Sequence, residues 1–279
     1  MLRRFIVTCV VLAALAAPAA AQREPDFATL DRGDGISHVG LDLAWIKLDP
    51  APYDSVVHLE LHGQYVLQSG LGFYAALPLN KSFGDGPDEG ESDGETAVAD
   101  LDFGGLYVIS GPELSWVFRL GLVAPIAGDE IGEFATNVRG ANYRLTDVAL
   151  VDPVDWYARV AVSPMFHAHS LFLRIDLGVD IPFAEDDADA YTADPIGRLN
   201  LAGGVDFGTA ALMLELPTII YLDDDDEDPD EDVFTNVAVT ARFMGEVLQP
   251  FISVGSPIDK ALRDQVDIFI ALGIQGVLR

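Results

Sequence analysis

The stretch Tyr53-Asp54-Ser55-Val56-Val57-His58-Leu59-Glu60-Leu61-His62-Gly63-Gln64-Tyr65-Val66-Leu67-Gln68 decides the fold. Val57, Leu59, Leu61, Gly63, Tyr65 and Leu67 alternate with His58, Glu60, His62, Gln64 and Gln68, which gives a β-strand one apolar and one polar face. The same period of two recurs at 36–48, 70–80, 97–109, 114–126, 155–167, 170–183, 197–208, 209–222, 233–244, 247–258 and 265–278. Strands of globular proteins average ~5–6 residues, whereas a tilted transmembrane β-strand needs ~9–11, so these segments have membrane-spanning length.

The connections sort into two kinds. Ser69-Gly70, Ser110-Gly111-Pro112-Glu113, His167-Ala168-His169, Gly208-Thr209 and Gly245-Glu246 are tight turns, while 80–96, 127–154, 184–196 and 223–232 are long. Short turns on one rim and long loops on the other predict an all-β, up-and-down antiparallel barrel of about 12 strands, of the outer-membrane type. The four long connections hold 25 of the 45 acidic residues, which keeps the lipid-side strand positions nearly free of charge. Lys47 is the exception, at a strand end from which its amine can reach the interface. Trp45 and Trp156 fall outward near the loop rim, and Trp116, Tyr65, Phe166, Phe207 and Phe243 form an aromatic girdle near the turn rim.

Composition agrees. In 279 residues, half are apolar and the formal net charge is −29. So apolar a chain is not intrinsically disordered despite its charge, and so acidic a chain repels a phosphate backbone, which excludes a nucleic-acid partner. The start Met1-Leu2-Arg3-Arg4, the apolar run Phe5–Leu15 and the small residues ending at Ala21 read as a signal peptide over 1–21. The mature domain then spans 22–279 and loses Cys9, the single cysteine, so disulfides cannot hold it together. No later stretch has the ~18 consecutive apolar residues of a membrane helix. The expected address is the outer membrane of a Gram-negative cell, with lipid and lipopolysaccharide as surroundings.

The opposite parity defines the inner face. His58, Glu60, His62, Arg119, Arg159, Arg174, Asp176, Asp180, Arg198, Asp206, Glu215 and Arg242 are the candidate lumen-lining residues, joined by Asp42, Asp100, Asp102 and Asp267. Two readings stay open: cross-strand ion pairs that fill a small barrel, or a polar conduit with a modest preference for cations. The loop 127–154 is long enough to fold inward as a partial plug or gate, and Ala141–Val151 has helical character.

Other chemistries find little support. His58 and His62 flank Glu60, but four residues of strand separate them by roughly 13 Å, too far to share one zinc ion, so no metal or other cofactor is expected. In the acidic run 223–232, Asp223-x-Asp225-x-Glu227 resembles the start of a calcium loop, but Asp228 stands where that loop needs glycine. Loose divalent cations bridging to lipopolysaccharide fit such a run better. There is no Gly-x-Ser-x-Gly elbow or phosphate-binding glycine loop, so no enzymatic activity is expected.

Ala97-Val98-Ala99-Asp100-Leu101-Asp102-Phe103-Gly104-Gly105-Leu106-Tyr107, followed by Leu120-Gly121-Leu122-Val123-Ala124-Pro125-Ile126-Ala127-Gly128-Asp129, is similar over about 35 residues to an outer-membrane transporter family. That family is associated with the meta-pathway of phenol degradation. The resemblance implies a channel for small, hydrophobic or aromatic compounds and supplies no binding residues. The expected function is therefore passive passage of a small solute through an outer-membrane barrel. The alternative is a closed structural or surface-interaction barrel that presents its acidic loops.

Overall fold

The alternation between apolar and polar residues is realised as strands throughout the computed structural model, which describes residues 25–49, 54–84, 94–153, 155–183, 194–222 and 232–278. The signal segment with its cut after Ala21, and the acidic run from Asp223 to Glu231, lie outside the described residues. In chain order the strands are β1 His38–Leu48, β2 Ser55–Val66, β3 Leu71–Phe83, β4 Thr96–Val98, β5 Leu101–Ile109, β6 Leu114–Ala124, β7 Trp156–Ala168, β8 Leu171–Phe183, β9 Ile196–Asp206, β10 Ala210–Leu216, β11 Thr218–Tyr221, β12 Val233–Phe243, β13 Leu248–Pro257 and β14 Val266–Val277. Helix α1 (Ile131–Ala141) and a 3₁₀ turn (Leu145–Leu150) fill the connection between β6 and β7, and the short α2 spans Lys260–Arg263.

All pairings are antiparallel, and β1 pairs with both β2 and β14, which closes the sheet on itself. Two barrel strands are interrupted, so fourteen segments make a closed 12-stranded barrel. One break lies at Pro217, which has no N–H to offer the ladder and separates β10 from β11. The other, between β4 and β5, has a tertiary cause. The N–H of Asp100 donates to the carbonyl of Leu150 at 2.8 Å instead of to a strand, and its carboxylate accepts from the N–H groups of Ile126 and Ala127 at 2.7 Å each.

Alternation sets the two faces. Along β1, Val39, Leu41, Leu43 and Trp45 are exposed, while His38, Asp42, Ala44 and Ile46 are buried. The apolar outer surface recurs with Phe118, Leu120 and Leu122 on β6, Leu171, Leu173 and Leu177 on β8, and Ile270, Leu272 and Ile274 on β14. In water such a surface would be an association hazard; in a bilayer it is the required solvent contact. This is a transmembrane barrel of the outer-membrane type.

Three expectations need correction. Asp267 does not face the lumen: a register irregularity at Lys47/Leu48 sets Leu48 opposite Val266, turns Val266 inward and leaves Asp267 paired with Lys47 near the loop rim. Asp206 stays at the turn rim, only partly buried, where its carboxylate accepts from the N–H of Gly208 at 2.6 Å and shapes the β9–β10 turn. The α-helix of the β6–β7 connection ends at Ala141, where helical character was expected to begin, and Ala141–Val151 holds only the 3₁₀ turn.

Candidate lumen site

The side chains facing the barrel interior are buried, and two inserted segments pack among them. The first is a strap, residues 26–36, that precedes β1 and lies inside the barrel. Its apolar residues Phe27 and Leu30 pack against Met165, Phe172, Met213 and Met244 of the wall. Its backbone is satisfied by Glu215, whose carboxylate accepts from the N–H of Ala28 (3.3 Å), the N–H of Thr29 (2.7 Å) and the Thr29 hydroxyl (2.8 Å). At the turn end, the Gln64 amide donates to the carbonyls of Asp34 and Ile36 at 2.8 and 2.6 Å. The buried backbone donors and acceptors of an irregular segment need such partners.

The second segment is the long β6–β7 loop, which enters from the opposite rim. Leu145, Ala149 and Leu150 pack on Val123, Tyr157, Ile196 and Ile219. Helix α1 docks on β2–β4 through a relay of amides. Asn137 donates to the Val98 carbonyl (3.0 Å), Asn80 donates to Asn137 Oδ1 (2.9 Å), and His58 Nδ1 lies 2.9 Å from Asn80 Oδ1. Gly140 makes this approach feasible, because a Cβ there would stand 2.0 Å from Asn80 Oδ1.

Strap and loop meet inside the barrel. Arg32 of the strap donates to both carboxylate oxygens of Asp147 in the loop, at 3.1 and 2.9 Å, and its Nε donates to Glu60 of the wall at 2.7 Å. Arg144 of the loop donates to Asp42 at 3.1 Å and to the Leu30 carbonyl at 3.4 Å, while the Tyr143 hydroxyl donates to the Ala28 carbonyl at 2.9 Å.

Around this clasp the wall arginines form a continuous network. Arg159 donates to Asp180 (3.1 Å), Asp102 (2.7 Å) and the Thr146 carbonyl. Arg198 pairs with Asp31 of the strap and lies 2.8 Å from Asp180. Arg119 is 3.5 Å from Asp31, 3.6 Å from Asp102 and 4.3 Å above the Tyr74 ring. Arg174 donates to Asp176 and to the Asp31 carbonyl, both at 2.7 Å, and Arg242 reaches Gln275 (2.7 Å) and Asp26 (3.4 Å). Burial pushes the Asp147 carboxyl up, but Arg32, Arg144 and Arg159 outweigh it and hold its pKa down at about 2. Burial likewise raises the Asp31 carboxyl, and Arg198, Arg119 and Arg159 bring it below its ordinary value.

Of the twelve lumen residues named from the sequence, eleven are buried inside the barrel, and Asp206 is the one at the rim. The network they form turns on residues that alternation could not supply: Asp26, Asp31 and Arg32 of the strap, and Arg144 and Asp147 of the loop. Their signal in the sequence is thin, an Asp/Arg-rich stretch carrying Phe27 and Leu30 ahead of the first strand.

No family model matches the chain. No curated protein sequence matches it either. Among solved structures the fold is similar to that of the COG4313 outer membrane channel from Pseudomonas putida F1, at 15% identity and TM-score 0.61 over 91% of this chain and 100% of that one. It is also similar to the KdgM porin (10% identity, TM-score 0.51, 85% of this chain and 98% of that one) and to the NanC porin (11% identity, TM-score 0.51, with the same coverage). What the chain shares with them is the barrel.

Proposed function

We propose that this protein is an outer-membrane channel for a small solute, and that the structure is its closed state, with strap and loop clasped across the lumen. The carrying observation is the material of the closure. A barrel built only for rigidity could be filled with apolar side chains. Buried ion pairs add little net stability, because desolvation consumes most of their attraction. Ionic surfaces rehydrate when they separate, so a lumen lined with them can open to water without exposing an apolar core. The barrel likeness to porins supports the same reading, and we assign the chain no catalytic step. The resemblance of Ala97–Tyr107 to the phenol-pathway transporters points to a small hydrophobic or aromatic solute. Lipid and lipopolysaccharide would surround the barrel, with loose divalent cations at its acidic loops.

The test is single-channel conductance in a planar bilayer under a salt gradient. It compares the full chain with a form lacking residues 26–35 and with a form whose 131–150 segment is replaced by a short glycine-serine link. Rare openings in the full chain, and frequent, weakly cation-preferring openings in either shortened form, are expected. Silence from all three, with each shown folded by heat-modifiable gel mobility, would overturn the channel and leave the closed surface barrel.

A further inference from the structure

The inner faces of β1 and β2 hold a donor set that the channel reading does not use. One carboxylate oxygen each from Asp42 and Glu60 and a ring nitrogen of His62 lie within 4.8 Å of one another. The register puts them there: Asp42 faces Glu60 across the strand pair, and His62 faces Gly40. Room is made by two glycines. A Cβ at Gly40 would stand 2.3 Å from His62 Nε2, and one at Gly273 would stand 2.4 Å from Asp42 Oδ1.

The imidazole supplies the independent observation. His62 is 6% exposed, and neither of its ring nitrogens makes a hydrogen bond; Nε2 is aimed at Asp42 Oδ1, 3.5 Å away. Asp42 commits its other oxygen, Oδ2, to Arg144 and keeps Oδ1 toward the ring. His58, one pair away, leaves one ring nitrogen without a hydrogen bond. Because Asn137 must donate to the Val98 carbonyl, Asn80 presents its oxygen to His58, so Nδ1 of His58 carries the proton. Its Nε2 makes no hydrogen bond and stands 3.8 Å from Glu60 Oε2.

We propose that Asp42, Glu60 and His62 bind a divalent transition-metal ion of the zinc type, with the unprotonated Nε2 of His58 facing Glu60 beside them. Mixed imidazole and carboxylate donors suit such an ion, with ligand distances near ~2.0–2.2 Å reached by small side-chain rotations. The two histidines on one strand remain too far apart to share an ion, and the cross-strand carboxylate of Asp42 removes the need for both. Arg32 competes for this site, since its Nε and Nη2 engage the two carboxylate oxygens of Glu60 while its Nη atoms also hold Asp147. A metal ion that takes Glu60 therefore loosens the strap, and by reciprocity a loosened strap tightens the metal.

The experiment uses the folded full chain in detergent with Co²⁺ as the probe, read by its visible absorption and by displacement with Zn²⁺. One Co²⁺ per chain is expected, with binding lost in His62→Ala and His62→Gln and at least tenfold weaker in Asp42→Asn. Arg32→Gln, which removes a charged competitor for Glu60, should tighten binding by roughly tenfold or more. Heat-modifiable mobility establishes that each variant is folded. Co²⁺ that binds all folded variants like the wild type resides at the acidic loops and overturns the proposal. So does the absence of binding in both the wild type and Arg32→Gln.

Discussion

Arg32 and Asp147, 115 residues apart in the chain, meet inside the barrel through two near-parallel hydrogen bonds of 3.1 and 2.9 Å. The pair joins the strap, anchored on the turn side, to the loop that enters from the opposite rim. A guanidinium held bidentate by one carboxylate and, through Nε and Nη2, by a second, Glu60, is fully committed. Breaking it removes one of the links between the two segments, beside those of Tyr143 to Ala28 and Arg144 to Leu30.

Arg32→Ala should destabilise the barrel by about 3–5 kcal/mol, because it leaves the buried carboxylate of Glu60 without its arginine and takes from Asp147 its bidentate partner. Asp147→Asn in the same chain should recover part of that loss by removing the carboxylate charge that lost its bidentate partner. A double-mutant cycle on thermal unfolding in detergent measures the coupling, and additive losses would show that the two residues act independently.

Acid should weaken the clasp in a defined window. The Asp147 carboxyl is held down at about 2 by Arg32, Arg144 and Arg159, against ~3.9 in an unfolded chain. A depressed carboxylate contributes stability above its unfolded pKa and loses it as pH falls through the folded one. The contribution should therefore be complete above about pH 5 and disappear between about pH 4 and 2, seen as falling thermal stability or more frequent openings. Asp147→Asn should flatten that part of the profile.

Neutralising Arg119, Arg159 and Arg174 separates a conduit from a filler. Arg159→Gln leaves Asp102 and Asp180 short of a cation and should cost about 3–5 kcal/mol. If the lumen conducts, the reversal potential under a salt gradient should also move toward stronger cation preference in each variant. Lost stability with unchanged selectivity would mean that these side chains only fill space.

Gly140→Val should displace α1. Any Cβ there collides with Asn80 Oδ1, and Asn80 is the link between α1 and His58. The expected cost is about 1–3 kcal/mol, as for overpacking elsewhere. Limited proteolysis should then cut within 127–150 in the variant and spare the wild type.

The alternation of Val57 to Leu67 against His58 to Gln68, recurring in eleven further stretches, placed twelve strands and their two faces, and the lengths of the connections sorted the turn and loop rims. Side-chain direction in a strand depends only on parity, so a local pattern carries it, and a bilayer outside the barrel enforces that pattern on every strand. Parity also put Arg159 and Asp180 on one face, where cross-strand register made them partners. It failed at Asp267, because a bulge adds a residue and inverts the count, and at Asp206, because parity says nothing about depth along the barrel. The strap and the clasp belong to the tertiary structure alone. Residues 26–36 have no period of their own. Their conformation is decided by Glu215, Gln64 and the wall arginines, which accept and donate from strands that follow them in the chain. Long-range ion pairs depend on where closure of the sheet brings the two segments, and that closure is a property of the whole barrel.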